Sequence, residues 1–522
     1  MAGISWSEAD LRLIEGEGLT VEEILKQIEL LQRGVTPFRL NRPCTTGDGI
    51  IVISEAERNR LVGLYEERIR RANPVKFVPA SGAATRMFKD WYPCLESGCF
   101  ETEQQKSAFA RDLKKFAFYE DLRDQIGRDG RDIDDLMQQG RNAEILSFIL
   151  TPRGLNYGNL PKALLKFHAY PGGSRMALEE HLVEAALYGR DSLDRCRVHF
   201  TVSPEHETGV KECLDRLKGP YESRLGVCFD LELSVQQSST NTIAMGTDGL
   251  PYRDSQGKLV FRPGGHGALL RNLNLIEGDI IFIKNIDNVV PDRLKPATTL
   301  HKKILAGHLV NLQSEMFRYL EILAEGRTTE NLIDGIVRFC NEKLCIKLPP
   351  SFTRQPLPEK VRRLFDRLNR PLRICGMVRN EGEPGGGPFW VEDLGGDGAP
   401  SLQIIEEFQV DRESAAQRAI WTAATHFNPV DLVCGIRDYR QRKYDLDRFV
   451  DHRAVCISRK SEKGRNLLAM ELPGLWNGAM ARWNTVFVEV PIETFNPVKT
   501  VADLLRPQHF SVYGITGTSG NV

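Results

Sequence analysis

The stretch PASGAATRMFK, residues 79–89, has the residue types that handle phosphate. It follows the apolar run VKFV at 75–78 and carries one glycine, several small residues, a threonine and an arginine. That pattern predicts a strand running into a tight turn that opens a helix. Such a turn aims backbone N–H groups and a helix N-terminus at a phosphate group. Arg86 adds a fixed positive charge beside it. Lys162, between Pro161 and an apolar run, would hold an ammonium at the mouth of a sheet, although it also reads as one of 69 basic side chains on a solvated surface. FRPGGHGALLRNL, residues 261–273, is a glycine-rich loop entering a short helix. Its glycines would let backbone approach a flat ring or a phosphate. His266 would then touch a ligand, or be a packed histidine in a plain turn. Asp287 stands just past the apolar run IIFIK. There a carboxylate suits a Mg²⁺ held against phosphate oxygens, or a turn cap. Lys499, in NPVKT, alone reads as a helix start.

The elements that must position these residues follow from periodicity. Residues 1–70 read as helices, with Ser7-Glu8-Ala9-Asp10 and Thr20-Val21-Glu22-Glu23 as capped starts. From residue 75, short β-rich runs alternate with helical ones. Strands are predicted at 75–80, 197–202, 231–236 and 279–284, with helices at 103–148 and 175–188. Strand and helix at this spacing predict an α/β fold, a mainly parallel mixed sheet sandwiched by helices. Ligands in such sheets bind outside the carboxyl ends of the strands. The loops after Ala80, Val202, Gln236 and Lys284 are therefore where a site is expected. Residues 295–370 return to helices, and 371–410 are glycine-rich and strand-like.

Composition narrows the partners. A chain of 522 residues exceeds one compact core and predicts two or three lobes. With 41% apolar and 27% charged residues it is an ordinary globular composition. A net charge of −1 excludes a protein that coats nucleic acid. Eleven scattered cysteines complete no zinc pattern and read as reduced thiols. No apolar run approaches a membrane span, and the acidic, amphipathic start is unlike a signal peptide. A cytoplasmic protein is expected.

In this order the pieces resemble the nucleotide-diphospho-sugar transferase superfamily, in particular the UDP-glucose and UDP-N-acetylglucosamine pyrophosphorylases. Their signature loop, roughly A-G-G-x-G-T-R-L, lies on Ala80-Ser81-Gly82-Ala83-Ala84-Thr85-Arg86-Met87. Their P-K lies on Pro161-Lys162, and their glycine-rich base loop on Pro263-Gly264-Gly265-His266-Gly267. Their aspartate-asparagine strand end lies on Asp287-Asn288, and their late F-x-P-V-K-T on residues 495–500. Gln236 or Gln237 matches a glutamine near the sugar-nucleotide pocket. The likeness runs from about residue 75 to 505, in islands. The whole chain also resembles the bacterial DUF4301 proteins. Ser81 and Ala84 replace two signature glycines; at a position needing positive φ an alanine would cost about 1 kcal/mol.

The resemblance implies an N-terminal helical region over 1–72, and a nucleotide-binding core over 73–345 with a helical insertion at 103–150. A sugar-binding α+β part follows over 346–510, then a flexible tail over 511–522. It implies a nucleotidyltransferase that joins a nucleoside triphosphate, UTP by the family, to a sugar 1-phosphate and releases pyrophosphate. Arg86, Lys162 and Lys499 would be catalytic. Ala80, Ser81, Gly82, Ala83, Thr85, Gln236, Gly265, His266 and Gly267 would bind the nucleotide. Asn288, Arg379, Glu381 and Asn484 would contact the sugar, though the glycine-rich stretch around Arg379 and Glu381 also reads as a surface hairpin, and Asn484 as a turn cap. Asp287 would hold Mg²⁺. The expected partners are a small-molecule nucleotide and a sugar phosphate, with neither nucleic acid nor membrane. A non-catalytic protein that binds or senses a nucleotide sugar is the alternative. A dinucleotide oxidoreductase is disfavoured because G-x-G-x-x-G is absent.

Overall fold

A computed structural model of the chain describes residues 4–82, 84–383, 385–392, 398–462 and 464–510. Ala83 of the signature loop and the 511–522 tail thus lie outside the described residues. The chain forms two compact units, each assembled from three separated stretches. The larger comprises residues 1–68, 235–282 and 304–490, and the smaller residues 69–234, 283–303 and 491–522. The sequential segments 1–72, 73–345 and 346–510 therefore coincide with neither unit.

In the smaller unit, strand Pro74–Pro79 pairs in parallel with Arg195–Val202, from Val75 opposite Arg197 to Pro79 opposite Thr201. Strand Cys228–Val235 lies beyond Arg195–Val202. The run VKFV forms a strand covered on both sides, as its β-branched and aromatic residues favour; Phe77 and Val78 are fully buried, and so is Lys76. Helices Ala177–Tyr188 and Glu207–Leu225 accompany these strands.

The stretch 103–150 is helical as predicted, with helices Glu103–Asp112, Tyr119–Arg128, Ile133–Gln138 and Asn142–Leu150. Thr102 with Gln105 caps the first, and Asp132 the third. Their aromatic side chains explain what this stretch does. Phe88 packs on Trp91 with ring centroids 5.4 Å apart, and Trp91 meets Phe109 and Phe116 edge-on at 5.4 and 5.8 Å. Phe116 in turn stacks on Phe118 at 4.9 Å. The helices thus anchor the turn that follows strand Pro74–Pro79.

The larger unit is built on strand Leu372–Arg379. Asn484–Glu489 runs parallel to it on one side and Asp431–Gly435 antiparallel on the other. Gly49–Ile51 extends the sheet in parallel beyond Asn484–Glu489. The first 70 residues are only partly helical. Helices Glu8–Gly16 and Val21–Arg33 start at the predicted capping boxes. Between them and helix Glu55–Ile69, however, Leu40–Pro43, Thr45–Thr46 and Gly49–Ile51 are strands. The cause is local: Pro43 and the Gly47–Gly49 turn break a helix, and the β-branched run after them favours a pleated surface. Leu40–Pro43 pairs with Gly387–Val391, which places the N-terminal segment in a small antiparallel sheet.

The fold class is α/β, with mixed sheets flanked by helices. All eleven cysteines are free thiols. Among the described residues no helix is long and apolar enough to cross a membrane.

The aromatic anchor gives a stability prediction. Phe118→Ala empties a fully buried position. It should cost about 3–5 kcal/mol in urea denaturation. A loss under about 1 kcal/mol would show that the helical stretch does not hold the smaller unit together.

Candidate active site

The turn after strand Pro74–Pro79 is fixed by its backbone. Ala80 N donates to Thr201 O at 2.8 Å, which extends the strand pairing by one residue. Ser203 Oγ donates to Ser81 O at 3.4 Å. Lys162 N donates to Gly82 O at 3.1 Å, and Ala84 N to Leu160 O at 3.3 Å. The segment carrying Lys162 is therefore bonded to both sides of the turn. Met87 and Phe88 are buried, while Thr85 and Arg86 are exposed. A Cβ added to Gly82 would meet nothing within 4 Å, so this side of the turn is open. The expected helix is a 3₁₀ turn, Ala84–Phe88, too short to bring a helix dipole to bear. Ser81 has no positive φ, so at that position the replaced glycine carries no backbone strain.

Asp287 lies three residues past strand Ile280–Lys284 and beside that turn, with Ile286 N donating to Pro79 O at 3.3 Å. Two ammonium groups converge on one oxygen. Lys162 Nζ donates to Asp287 Oδ2 at 2.9 Å and to Val498 O at 2.7 Å. Lys499 Nζ donates to the same Oδ2 at 2.9 Å. The Asp287 and Lys162 side chains are 8% and 11% exposed, but that of Lys499 is 59% exposed. Burial alone would raise the Asp287 pKa; the Lys499 and Lys162 ammoniums outweigh it and hold the carboxyl below its ordinary value. Asp287 is therefore an anion at neutral pH, outnumbered by two cations.

The Lys499 segment is itself clamped. Val498 N donates to Asp287 O at 3.0 Å. Asp503 Oδ2 accepts the N–H groups of Lys499 and Thr500 at 2.8 and 2.7 Å. The Asn288 amide is committed to the same segment: its Oδ1 accepts Asn496 N at 2.9 Å and its Nδ2 donates to Thr494 O at 3.3 Å. Asn288, expected at the sugar, holds Lys499 in place instead.

Asp287 Oδ1 is buried and has no hydrogen-bond partner. Its lone pairs fit a cation such as Mg²⁺, which is commonly held by one or two carboxylates together with substrate phosphates. Among the described residues there is no group of three or more His, Cys, Asp or Glu side chains that could cage a metal. A metal here would rely on this carboxylate and on phosphate oxygens.

The remaining expected residues belong to the larger unit. Gln236 follows strand Cys228–Val235 and is half-buried. The glycines of the 263–267 loop serve close approach, but to this chain's own backbone: a Cβ on Gly264 would lie 2.2 Å from Thr240 O, and one on Gly267 2.3 Å from Pro473 O. Gly265 shares that loop, its added Cβ 2.4 Å from Glu471 Oε2. His266 stacks on Trp476 with centroids 4.3 Å apart, and its Nδ1 accepts Leu475 N at 3.1 Å. Burial pushes its pKa down to about 4, so it is neutral at pH 7. It is a packed histidine that shapes the 473–476 loop. Arg379 is exposed and pairs with Glu489 at 3.3 Å, and Glu381 is exposed in the adjoining bend. Asn484 is buried at the start of its strand, donating to Leu368 O at 3.2 Å.

Sequence reasoning missed Asp503, although Thr500-x-x-Asp503 is a legible capping box. It also missed a buried charge cluster behind the site. Glu184 accepts from Lys76 Nζ at 2.9 Å and from Lys284 Nζ at 2.8 Å. A lysine inside each apolar strand run was the signal.

The chain belongs to the family described as DUF4301, a domain of unknown function, whose model matches residues 7–510. No curated protein matches it in sequence. Among solved structures it is similar to the UDP-glucose pyrophosphorylase of Leishmania major, with 12% identity, 96% of this chain and 79% of that chain covered, and a TM-score of 0.45. It is also similar to the uridine diphosphate N-acetylglucosamine pyrophosphorylase of Trypanosoma brucei, with 11% identity, 96% and 79% covered, and a TM-score of 0.47.

The Asp287 pairing has a pH signature. A carboxyl whose folded pKa is depressed stabilises the fold above its unfolded value of about 3.9 and loses that contribution as pH falls through the folded value. Asp287→Asn removes the titrating group. Its melting temperature should therefore fall less than that of the wild type between pH 5 and pH 2. Parallel pH profiles for the two proteins would contradict the pairing.

Proposed function

We propose that this DUF4301 protein is a nucleotidyltransferase that joins a nucleoside triphosphate, UTP by the family resemblance, to a sugar 1-phosphate and releases pyrophosphate. The observation that carries the reading is the convergence of Lys162 and Lys499 on Asp287 beside the 79–86 turn. Residues far apart in sequence supply positive charge at one place, next to open backbone.

The chemistry needs little else. A phosphate monoester has a second pKa near ~6, so the sugar phosphate arrives ionised and no general base is required. One of its oxygens forms a bond to the α-phosphorus. The bond from that phosphorus to the β-bridging oxygen breaks, and pyrophosphate leaves with the electron pair. Catalysis then consists of in-line positioning and charge cancellation. Lys499, the more exposed ammonium, can swing from Asp287 to the sugar phosphate. Lys162 is held by Val498 O and Gly82 O and sets a charge near the α-phosphate. Arg86 takes the outer phosphates together with those N–H groups of the turn that are not committed, as Ala80 and Ala84 are, to Thr201 and Leu160. Asp287 would offer Oδ1 to Mg²⁺, which when bound neutralises phosphate charge. Because Ser81 imposes no strain, that change in the signature is no obstacle to the turn.

Lys162→Ala and Arg86→Ala should each reduce pyrophosphate release from UTP and a sugar 1-phosphate by at least about 10²-fold, a loss typical of removing one charge-stabilising group. The melting curve of Arg86→Ala should stay close to that of the wild type; Lys162→Ala removes a buried partner of Asp287 and should melt lower but still fold, because Lys499 remains paired with the carboxylate. Unchanged turnover in either folded variant would sink the assignment. Ligand binding without pyrophosphate release in the wild type would instead indicate a nucleotide-sugar sensor.

A further inference from the structure

Strand Leu372–Arg379 carries a cation that the proposed reaction does not use. Arg373 is 0% exposed, inside a run that is buried from Leu372 to Val378. It lies within the sheet of the larger unit, opposite Thr485 on one side and Cys434 on the other. Its bonds are to neutral acceptors. Nε donates to Thr485 Oγ1 at 2.9 Å and Nη1 to Trp476 O at 2.6 Å. Nη2 is buried and has no hydrogen-bond partner.

An arginine stays protonated even when buried, so this is a cation in the core. Burial pushes its pKa down, and the groups that act on its charge are the thiols of Cys375 and Cys434. Burial pushes the Cys375 thiol up to about 11, so it is neutral at pH 7. Asp431 acts on Cys375 but is not among the groups that act on Arg373. The buried lysines Lys76, Lys162, Lys284 and Lys295 each meet a carboxylate. Among the described residues no carboxylate pairs with Arg373. Taking an ion out of water is costly and is offset only by a well-placed counter-charge. A carbonyl and a hydroxyl supply dipoles but no counter-charge.

The donors beside Nη2 form a set. In a guanidinium the Nε–H and one Nη2–H point the same way, the fork with which arginine grips anions. Thr485 Oγ1, held by Nε, therefore stands beside Nη2. Accepting that bond leaves the Thr485 hydroxyl its own hydrogen to donate, and Thr485 is buried as well. An Nη2 hydrogen and the hydroxyl hydrogen can thus meet on one acceptor.

We propose that Arg373 Nη2 and the Thr485 hydroxyl bind a small monovalent anion, a halide such as chloride, as the counter-ion of the buried guanidinium. The size follows from burial: every residue from Leu372 to Val378 is buried, which leaves no entry for a phosphate ester or a nucleotide. A single ion is taken up as the chain folds or through local opening. The charge follows from the one cation it answers. An ion that binds the folded chain and not the unfolded one stabilises the fold by mass action.

Melting curves of the full chain test this, independently of the proposed reaction, with chloride replaced stepwise by gluconate at constant ionic strength. The wild type should melt about 1–2 °C higher for each tenfold rise in chloride above its dissociation constant. Arg373→Met removes the charge, and its melting temperature should not follow chloride. Thr485→Val removes the hydroxyl and keeps the shape; it should need at least tenfold more chloride for the same rise. If Arg373→Met does not fold, wild-type crystals grown in bromide decide the matter. Anomalous scattering should then place a bromide within hydrogen-bond reach of Nη2. A water there and no bromide would overturn the proposal. So would equal chloride responses in the wild type and Arg373→Met, or a wild-type melting temperature that is the same in chloride and gluconate at every concentration.

Discussion

A single carboxylate oxygen, Asp287 Oδ2, accepts from two ammonium groups, and the smaller unit is arranged to make that possible. A buried carboxylate persists only if it is paired. Here one partner, Lys162, is buried, and the other, Lys499, is largely open to solvent. The difference gives the cluster a fixed half and a movable half. Because two cations share one anion, the cluster keeps a positive excess. A phosphate can take over either ammonium while the carboxylate retains the other.

The segment that brings Lys499 to this point has no regular strand or long helix of its own, so polar contacts must fix it. Asn288 and Asp503 fix the residues on either side of Lys499. Further along, the His509 ring is stacked on His168, with Nδ1 2.9 Å from His168 Nε2. The other His168 nitrogen faces Glu180 Oε1 at 2.9 Å. Glu180 also meets Tyr170 at 2.7 Å, together with Lys295 and Arg175. Burial would raise the Glu180 pKa, but His168 and Lys295 bring it down to about 2. Helix Ala177–Tyr188 thus carries two buried glutamates with separate tasks. Glu180 ties down the segment around His509, and Glu184 pairs with Lys76 and Lys284 within the strands. Removing one partner of such a pair leaves an uncompensated buried charge, which is strongly destabilising. The register of the Lys499 segment is therefore set by charge pairing.

The turn at 79–86, Lys162, Asp287 and Lys499 were legible in sequence because each stands where an apolar run ends or beside a proline, positions that chain geometry places at a sheet edge. Their meeting was not legible, since periodicity does not say which strand ends are neighbours. The glycines and amides at the other expected positions share one kind of contact. Gly264 and Gly267 are needed where backbone passes backbone, and His266, Asn288 and Asn484 satisfy buried groups of the chain itself. A sequence shows the kind of contact such residues make but not the partner. The strands within the first 70 residues escaped for another reason. They are short, and Leu40–Pro43 becomes a strand by pairing with a segment nearly 350 residues away.

The near-neutral total charge, 69 basic against 70 acidic residues, conceals how unevenly the charge is placed. Many surface cations are answered locally: Arg442 by Asp438, and Arg437 and Lys443 by Glu277. Around Asp287 two ammonium groups share one carboxylate, and a positive excess survives there. With screening lengths of about 8–10 Å at ordinary ionic strength, that excess does not reach far beyond its own walls. A ligand small enough to enter, with its charge concentrated on phosphates, experiences the local excess in full.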